Sequence, residues 1–250
     1  MKNPKLRSNN KFVITNNVFN NNILYPLNEI PYNIIRSICG YFVYLIYIGN
    51  KDIKGNDWEH AFASAINGIH LDSPISIADV VLGNNCWSMK TVKCKIPFNT
   101  KSIRLISGRC SPDYSYCITD PYDNIQKTGE AILSIWNERI KIAYDKYNQV
   151  RTLVLIRSFD LKKFVVFEEQ TKQFFINDYH WILNNNNNLI GLDSNNLPCF
   201  TWQPHGSQFT IHTIVPKKTV KFCLKSPNTY LNTENVLKSL NFDDSWITLV

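Results

Sequence analysis

The sequence predicts an α/β protein. A mixed central sheet is assembled in the order helix, strand, strand, strand, helix, strand, and a β-rich C-terminal extension follows. Three observations predict this. Residues 128–147, "TGEAILSIWNERIKIAYDKY", set Ile132, Ile135, Trp136, Ile140, Ala143 and Tyr147 at a helical period, with charges elsewhere. After them, "RTLVLIRSF" is a near-continuous apolar run, as expected of a strand covered on both faces. Before them, "PISIADVVL", "GNN" and "CWSMKTVK" read as a strand, a turn and a returning strand.

The elements follow in order. Residues 1–28 are polar and Asn-rich and are expected to be irregular. Tyr32 to Ile48 is apolar and predicts a buried helix. Its run "ICGYFVYLIYIG" is shorter than the roughly 20 residues that span a bilayer. "GNDWEHAFASAINGIH" predicts a helix over 57–67. Asn56 caps it, Glu59 stands three residues on, and Phe62, Ala63, Ala65 and Ile66 form its apolar stripe. Asn67-Gly68 ends it. The strand-turn-strand of 74–93 comes next, then a third strand at 101–107 and a long loop to 127. After residue 160, "KFVVFEEQ", "QFFIND", "FTIHTIV" and "TVKFCL" read as short strands, and the asparagine run 184–188 as a loop tip. Residues 1–55 form an N-terminal helical region, 56–160 a core and 161–250 a β-rich extension. No linker separates them, so they are expected to pack as one unit.

Composition narrows the function. The 250 residues are 44% hydrophobic and 13% aromatic, enough for a sizeable core, and the 19% charged fraction argues against a disordered chain. A net charge of +7 favours a polyanionic partner. None of the seven cysteines forms a CxxC pair, which argues against zinc. The polar, basic start has no apolar stretch of the secretory kind, so the thiols are expected to be reduced and the protein cytoplasmic. There is no GxGxxG, GxxxxGK(S/T) or GxSxG, which leaves little support for a nucleotide-cofactor enzyme or a serine hydrolase.

The returning strand carries the chemistry. Ser88 and Lys90 are two apart and share a face, whereas Trp87, Met89 and Thr91 point the other way. With the turn at Gly83–Asn85, Asp79 falls opposite residues 88–90, and the register decides whether the side chains meet. A carboxylate among Ile77, Ala78 and Val80 is costly unless paired. Plainer roles exist for its neighbours. Glu59 could complete a capping box with Asn56, Lys90 could be a solvated edge-strand lysine, and Ser88 an ordinary strand serine. Lys93 faces away from Lys90 and reads as surface. A carboxylate with a lysine beside it is also what phosphodiester hydrolysis uses. The carboxylate holds a metal that lowers the pKa of a water, and the lysine orients that water.

These residues resemble the PD-(D/E)xK nucleases. The matching parts are Glu59 in "WEHAF", Asp79 in "IADVV" and Ser88-Met89-Lys90 in "SMK", followed by a strand, a helix and a strand, over about 100 of the 250 residues. Ala78 stands where the family has proline, and Ser88 where it has an acidic residue. The resemblance implies a restriction-endonuclease-like αβββαβ core. Within the family, the size, charge and β-rich extension look most like a type II restriction endonuclease. Catalysis would then fall to Asp79, Lys90, Glu59 and Ser88. Mg²⁺ would be held by Asp79, Glu59 and the Met89 backbone carbonyl, with Glu59 supplying the charge that Ser88 lacks. The implied partners are duplex DNA, a second copy in a homodimer, and a methyltransferase in the same cell.

Two further stretches suggest base readout. "SGRCSPDYSY" offers Arg109, Ser111 and Tyr114, and "TWQPHGSQFTIHT" offers Gln203, His205, Ser207 and Gln208 around a Pro and a Gly. Both could equally be ordinary turns. Lys217 and Lys218 are phosphate contacts or solvated charge. Two other functions stay open: a repair or junction-resolving nuclease on the same core, and a non-catalytic DNA-binding protein with a degenerate core, which Ser88 keeps in play.

Overall fold

A computed structural model describes residues 25–71, 77–225 and 229–248. From Tyr25 the described chain runs without regular structure into helix α1 (Tyr32–Tyr47) and then α2 (Gly55–Ile66). The Asn56 cap is corrected. Lys54 is the N-cap, and its N–H donates to the Asp57 carboxylate at 2.8 Å, so the reciprocal contact forms two residues earlier. Asn67 ends α2 in the left-handed conformation, as the Asn-Gly pair predicts.

Strands β1 (Ile69–His70), β2 (Val80–Leu82) and β3 (Asn85–Lys93) follow, then β4 (Ser102–Arg109), α3 (Pro112–Tyr116), α4 (Ile125–Lys146), β5 (Gln149–Arg157) and β6 (Lys163–Gln170). Strand β2 is shorter than the predicted 74–82, because residues 77–79 lie outside the ladder and 72–76 outside the described residues. Of the predicted irregular segment 1–28, residues 1–24 lie outside them too. The extension adds β7 (His180–Leu183), β8 (Leu189–Leu192), β9 (Pro198–Gln203), β10 (Gln208–Ile214), β11 (Val220–Cys223) and helix α5 (Thr233–Ser239). "QFFIND" is not a strand. It ends in a short 3-10 turn at Ile176–Asp178, where Asn137 of α4 holds the backbone of Phe174 from both sides. The asparagine run turns β7 into β8.

The protein is mixed α/β with two sheets. The first has the order β1-β2-β3-β5-β6-β11, with β3 and β5 parallel and the other pairs antiparallel. The second has the order β4-β10-β9-β8-β7 and is wholly antiparallel. The third predicted strand therefore leaves the central sheet. Its burial shows why: Ile103, Leu105 and Ser107 are buried while the alternating residues are exposed. One apolar face suits a half-solvated antiparallel sheet rather than a strand covered on both sides.

Helices α1 and α2 cover one face of the first sheet, where Phe42, Trp58 and Phe62 pack on Trp87, Met89, Leu153 and Phe164. The other face is shared. Helix α4 covers Cys86 and Val150, and β4 lays Ile103 and Leu105 on Val154, Ile156 and Phe167. Helix α4 also meets the second sheet closely. A Cβ at Gly129 would stand 2.2 Å from Trp181 ring atoms, so only glycine fits.

A buried polar knot fixes the hairpin strand from behind. The Glu168 carboxylate accepts from Tyr25 (2.7 Å), Trp87 Nε1 (2.8 Å), the Asn28 N–H (3.1 Å) and Arg151 (3.2 Å). Four donors offset its desolvation. Through Trp87 they hold the strand next to Ser88. All seven cysteines are free thiols, and no helix among the described residues is long and apolar enough to cross a membrane.

Candidate active site

The hairpin turn decides the site. Leu82 pairs with Asn85 and Val80 with Trp87, which leaves the two residues Gly83 and Asn84 as the loop. Gly83 adopts φ 54°, as a tight hairpin turn requires of its first residue. The same register sets Asp79 against Ser88, and its N–H donates to the Trp87 carbonyl at 2.9 Å. Asp79, Ser88 and Lys90 thus fall on one face; the sequence places Ser88 and Lys90 together but leaves the side of Asp79 to the register. Asp79 Oδ2 accepts the Met89 N–H at 2.7 Å and lies 3.7 Å from Lys90 Nζ. Lys90 lies on the part of β3 that runs past β2, whose pairing ends at Trp87, and it is partly buried beside Asp79 rather than free in solvent.

Glu59 reaches this site from α2, yet not as a cap. Its Oε2 accepts a 2.7 Å hydrogen bond from His70 Nε2. The His70 ring in turn packs on His60 with centroids 4.3 Å apart. His70 pairs with Val80 across β1 and β2, one residue from Asp79. The sequence reading misses His70, because a strand of two residues carries no periodicity to flag it.

Burial dominates the electrostatics. It pushes the Asp79 carboxyl above the usual carboxylate range. Lys90 and the Met89 N–H pull it down, Glu59 pushes it up again, and His70 pulls it down, so the two carboxylates sense one another. Ser88 is buried at 2% exposure and offers no charge. Among the described residues no group of three His, Cys, Asp or Glu side chains could hold a metal ion. The donors that do converge, two carboxylates with Asp79 Oδ1 outside the hydrogen bonds of the hairpin, are hard oxygens. Mg²⁺ is commonly held by one or two carboxylates with water and phosphate completing its shell, so the set fits that ion.

Lys93 turns away, pairing with Asp52 at 3.1 Å. Lys218 pairs with Glu29 at 2.7 Å. The two stretches singled out for readout meet at one end of the second sheet. Arg109 on β4 pairs with Gln208 on β10, which pairs with Gln203 on β9. The two glutamines share a 3.2 Å hydrogen bond, and the Cys110 N–H donates to the Ser207 carbonyl at 2.8 Å. His205 sits exposed on the turn between β9 and β10, Ser111 stands just before α3 without a side-chain hydrogen bond to it, and Tyr114 on α3 is 90% exposed. Residues nearly a hundred positions apart thus form one polar rim.

Between the sheets, beside α4, lies a cleft of about 300 Å³. Lys90, Thr152 and Glu169 line it from the first sheet, and Trp136 and Phe174 wall it. Glu169 is half-buried, and burial raises its carboxyl pKa despite a nearby Lys172. The sequence reading passes over Glu169 as part of a strand.

Comparison with known proteins finds no matching family model, no similar curated protein and no similar solved structure.

Proposed function

We propose that the protein is a Mg²⁺-dependent endonuclease of duplex DNA, a variant of the PD-(D/E)xK type, acting at a specific short sequence as a type II restriction enzyme does. The observation that carries this reading is the Asp79 carboxylate, held by the Met89 N–H at 2.7 Å and by Lys90 at 3.7 Å, with Glu59 close enough to raise its pKa. Asp79, Glu59 and the Met89 carbonyl are the groups that would hold Mg²⁺, which when bound neutralises phosphate charge and lowers the pKa of a water.

The chain's own groups do the rest. Lys90 presents ammonium protons to a phosphate oxygen or to the attacking water, on a strand fixed from behind by Trp87 and Glu168. Buried Ser88 leaves room beside Asp79 without adding charge. Water attacks phosphorus, the P–O bond to one sugar breaks, and the leaving oxygen takes a proton. The Arg109–Gln208–Gln203 rim supplies donors and acceptors of the kind that read base edges. The placement of β4 in the second sheet departs from a core whose three consecutive strands share one sheet. The Glu59 helix and the Asp79–Lys90 hairpin do not depend on it.

The test compares wild type with Asp79→Ala and Lys90→Ala on unmethylated duplex DNA. Each substitution is expected to lower metal-dependent cleavage by roughly 10²–10³-fold while DNA binding is retained. Cleavage unchanged in both variants would sink the assignment.

A further inference from the structure

Residues 229–248 have no account in the site above. They form a short arm. Leu231 is tied to the end of α1, its N–H donating to the Tyr47 carbonyl at 2.9 Å, and then come α5 and a 3-10 turn at Asp244–Trp246. Both are capped from within the arm, α5 by the Asn232 side chain and the turn by Asp243. Phe242 and Trp246 meet edge to face with centroids 5.6 Å apart. Among the described residues, nothing from 232 to 248 makes a hydrogen bond, ion pair or ring contact with the rest of the chain. Leu240, Phe242, Trp246 and Ile247 stand 39–60% exposed. A helix of seven residues is not stable in water by itself, and a run of exposed apolar groups of this kind marks a contact surface.

Charge says what covers it. The arm carries Glu234, Asp243 and Asp244 against one cation, Lys238, which disfavours DNA and favours a basic protein surface. The chain itself offers one, with a net charge of +7. At the root of the arm lies a pocket of about 410 Å³, between the end of α1 and the turn from β5 to β6. Buried Ile46 and Leu161 line it, with Phe159, 56% exposed, and Tyr230 of the arm itself. Lys51 lines it too and makes no ion pair among the described residues. The pocket's acid, Asp160, is already bonded to the Ser158 hydroxyl at 2.6 Å and to the Lys162 N–H at 3.2 Å. Arm and pocket thus belong to one continuous surface. A two-fold interface needs that, because each copy must offer both halves of the contact.

We propose that the arm docks on a second copy of this chain: Trp246 enters the pocket at Ile46, Phe159 and Leu161, Asp244 meets Lys51, and the second copy returns the same contact. Aromatic side chains seated in pockets carry most of the energy of an interface. Asp244 is the acid with a free carboxylate, since Asp243 is spent on the Ser245 N–H at 2.8 Å. The resemblance implies a homodimer and leaves its contact open, and the arm supplies that contact. Neither Asp79 nor Lys90 takes part, so the interface holds or fails whether or not the protein cuts DNA.

Sedimentation equilibrium of the full chain across concentrations tests the proposal. A monomer–dimer equilibrium is expected. Trp246→Ala and Phe159→Ala should each weaken the dimer roughly 30-fold, the value of an anchor residue at an interface. Lys51→Glu and Asp244→Lys should each weaken it several-fold, and the two together should restore it. All four side chains are exposed in the single chain, so circular dichroism should be unchanged in every variant. A chain that stays monomeric up to its solubility limit would overturn the proposal, because the arm then folds back or takes another partner. So would a dimer that tolerates both Trp246→Ala and Phe159→Ala, or a Lys51→Glu, Asp244→Lys double variant that associates no better than the single ones.

Discussion

At the scale of single residues, the site is governed by what burial does to carboxylates. Asp79 sits where its charge is disfavoured, and its folded-state pKa is raised. The folded protein therefore takes up that proton more readily than the unfolded chain. Below the ordinary carboxylate range both states are protonated and Asp79 costs nothing. As pH rises out of that range and through the raised value, the folded state loses stability. Asp79→Asn is accordingly expected to be more stable than wild type at neutral pH, with the gap closing as pH falls toward that range. Thermal melts across pH check it, and a gap that widens on acidification contradicts it. His70 does a different job. It holds Glu59 at 2.7 Å and is itself braced by the His60 ring. Partners that orient a metal ligand carry about 10- to 100-fold in metal affinity. His70→Ala should raise the Mg²⁺ needed for half-maximal cleavage by that order and weaken Mn²⁺ binding seen by electron paramagnetic resonance. Unchanged Mn²⁺ binding would remove His70 from the site.

At the scale of elements, the hairpin is the part the sequence states most clearly. The sequence places the turn at Gly83–Asn85; the structure takes Asn85 into β3, and the resulting two-residue turn fixes which side chains face Asp79. Helix α4 is equally legible from its apolar stripe. The sheet that receives β4 is not, because pairing with β10 joins residues about a hundred positions apart and leaves no local mark. The alternation of Ile103, Leu105 and Ser107 is the one signal that points to a half-exposed strand. Strands β7 and β8 have four residues each, too few for a period to emerge. Helix α4 meets the second sheet at Gly129, and here two magnitudes compete. Alanine gains about 1 kcal/mol of helix propensity over glycine. Overpacking costs about 1–3 kcal/mol, and a Cβ 2.2 Å from Trp181 ring atoms cannot be relieved by a small shift. Gly129→Ala should therefore destabilise the protein in urea unfolding. A neutral or stabilising result would mean that α4 and β7 are not packed so closely.

At the scale of the whole molecule, the two sheets divide the work. The first carries Asp79, Ser88 and Lys90 on a strand pinned by the Glu168 knot. The second carries the Arg109–Gln208–Gln203 rim at one end and one wall of the cleft. A net charge of +7 favours the approach of a polyanion to both. The central claim is that hydrolysis at Asp79 and Lys90 is coupled to base readout by that rim. The measurement that tests it most directly is digestion of an unmethylated bacteriophage DNA by the purified protein with Mg²⁺ and with EDTA, followed by sequencing of the fragment ends. The account predicts discrete fragments that need the metal and share one short sequence at their ends. Intact DNA at every metal concentration, with the protein bound to it, would contradict it.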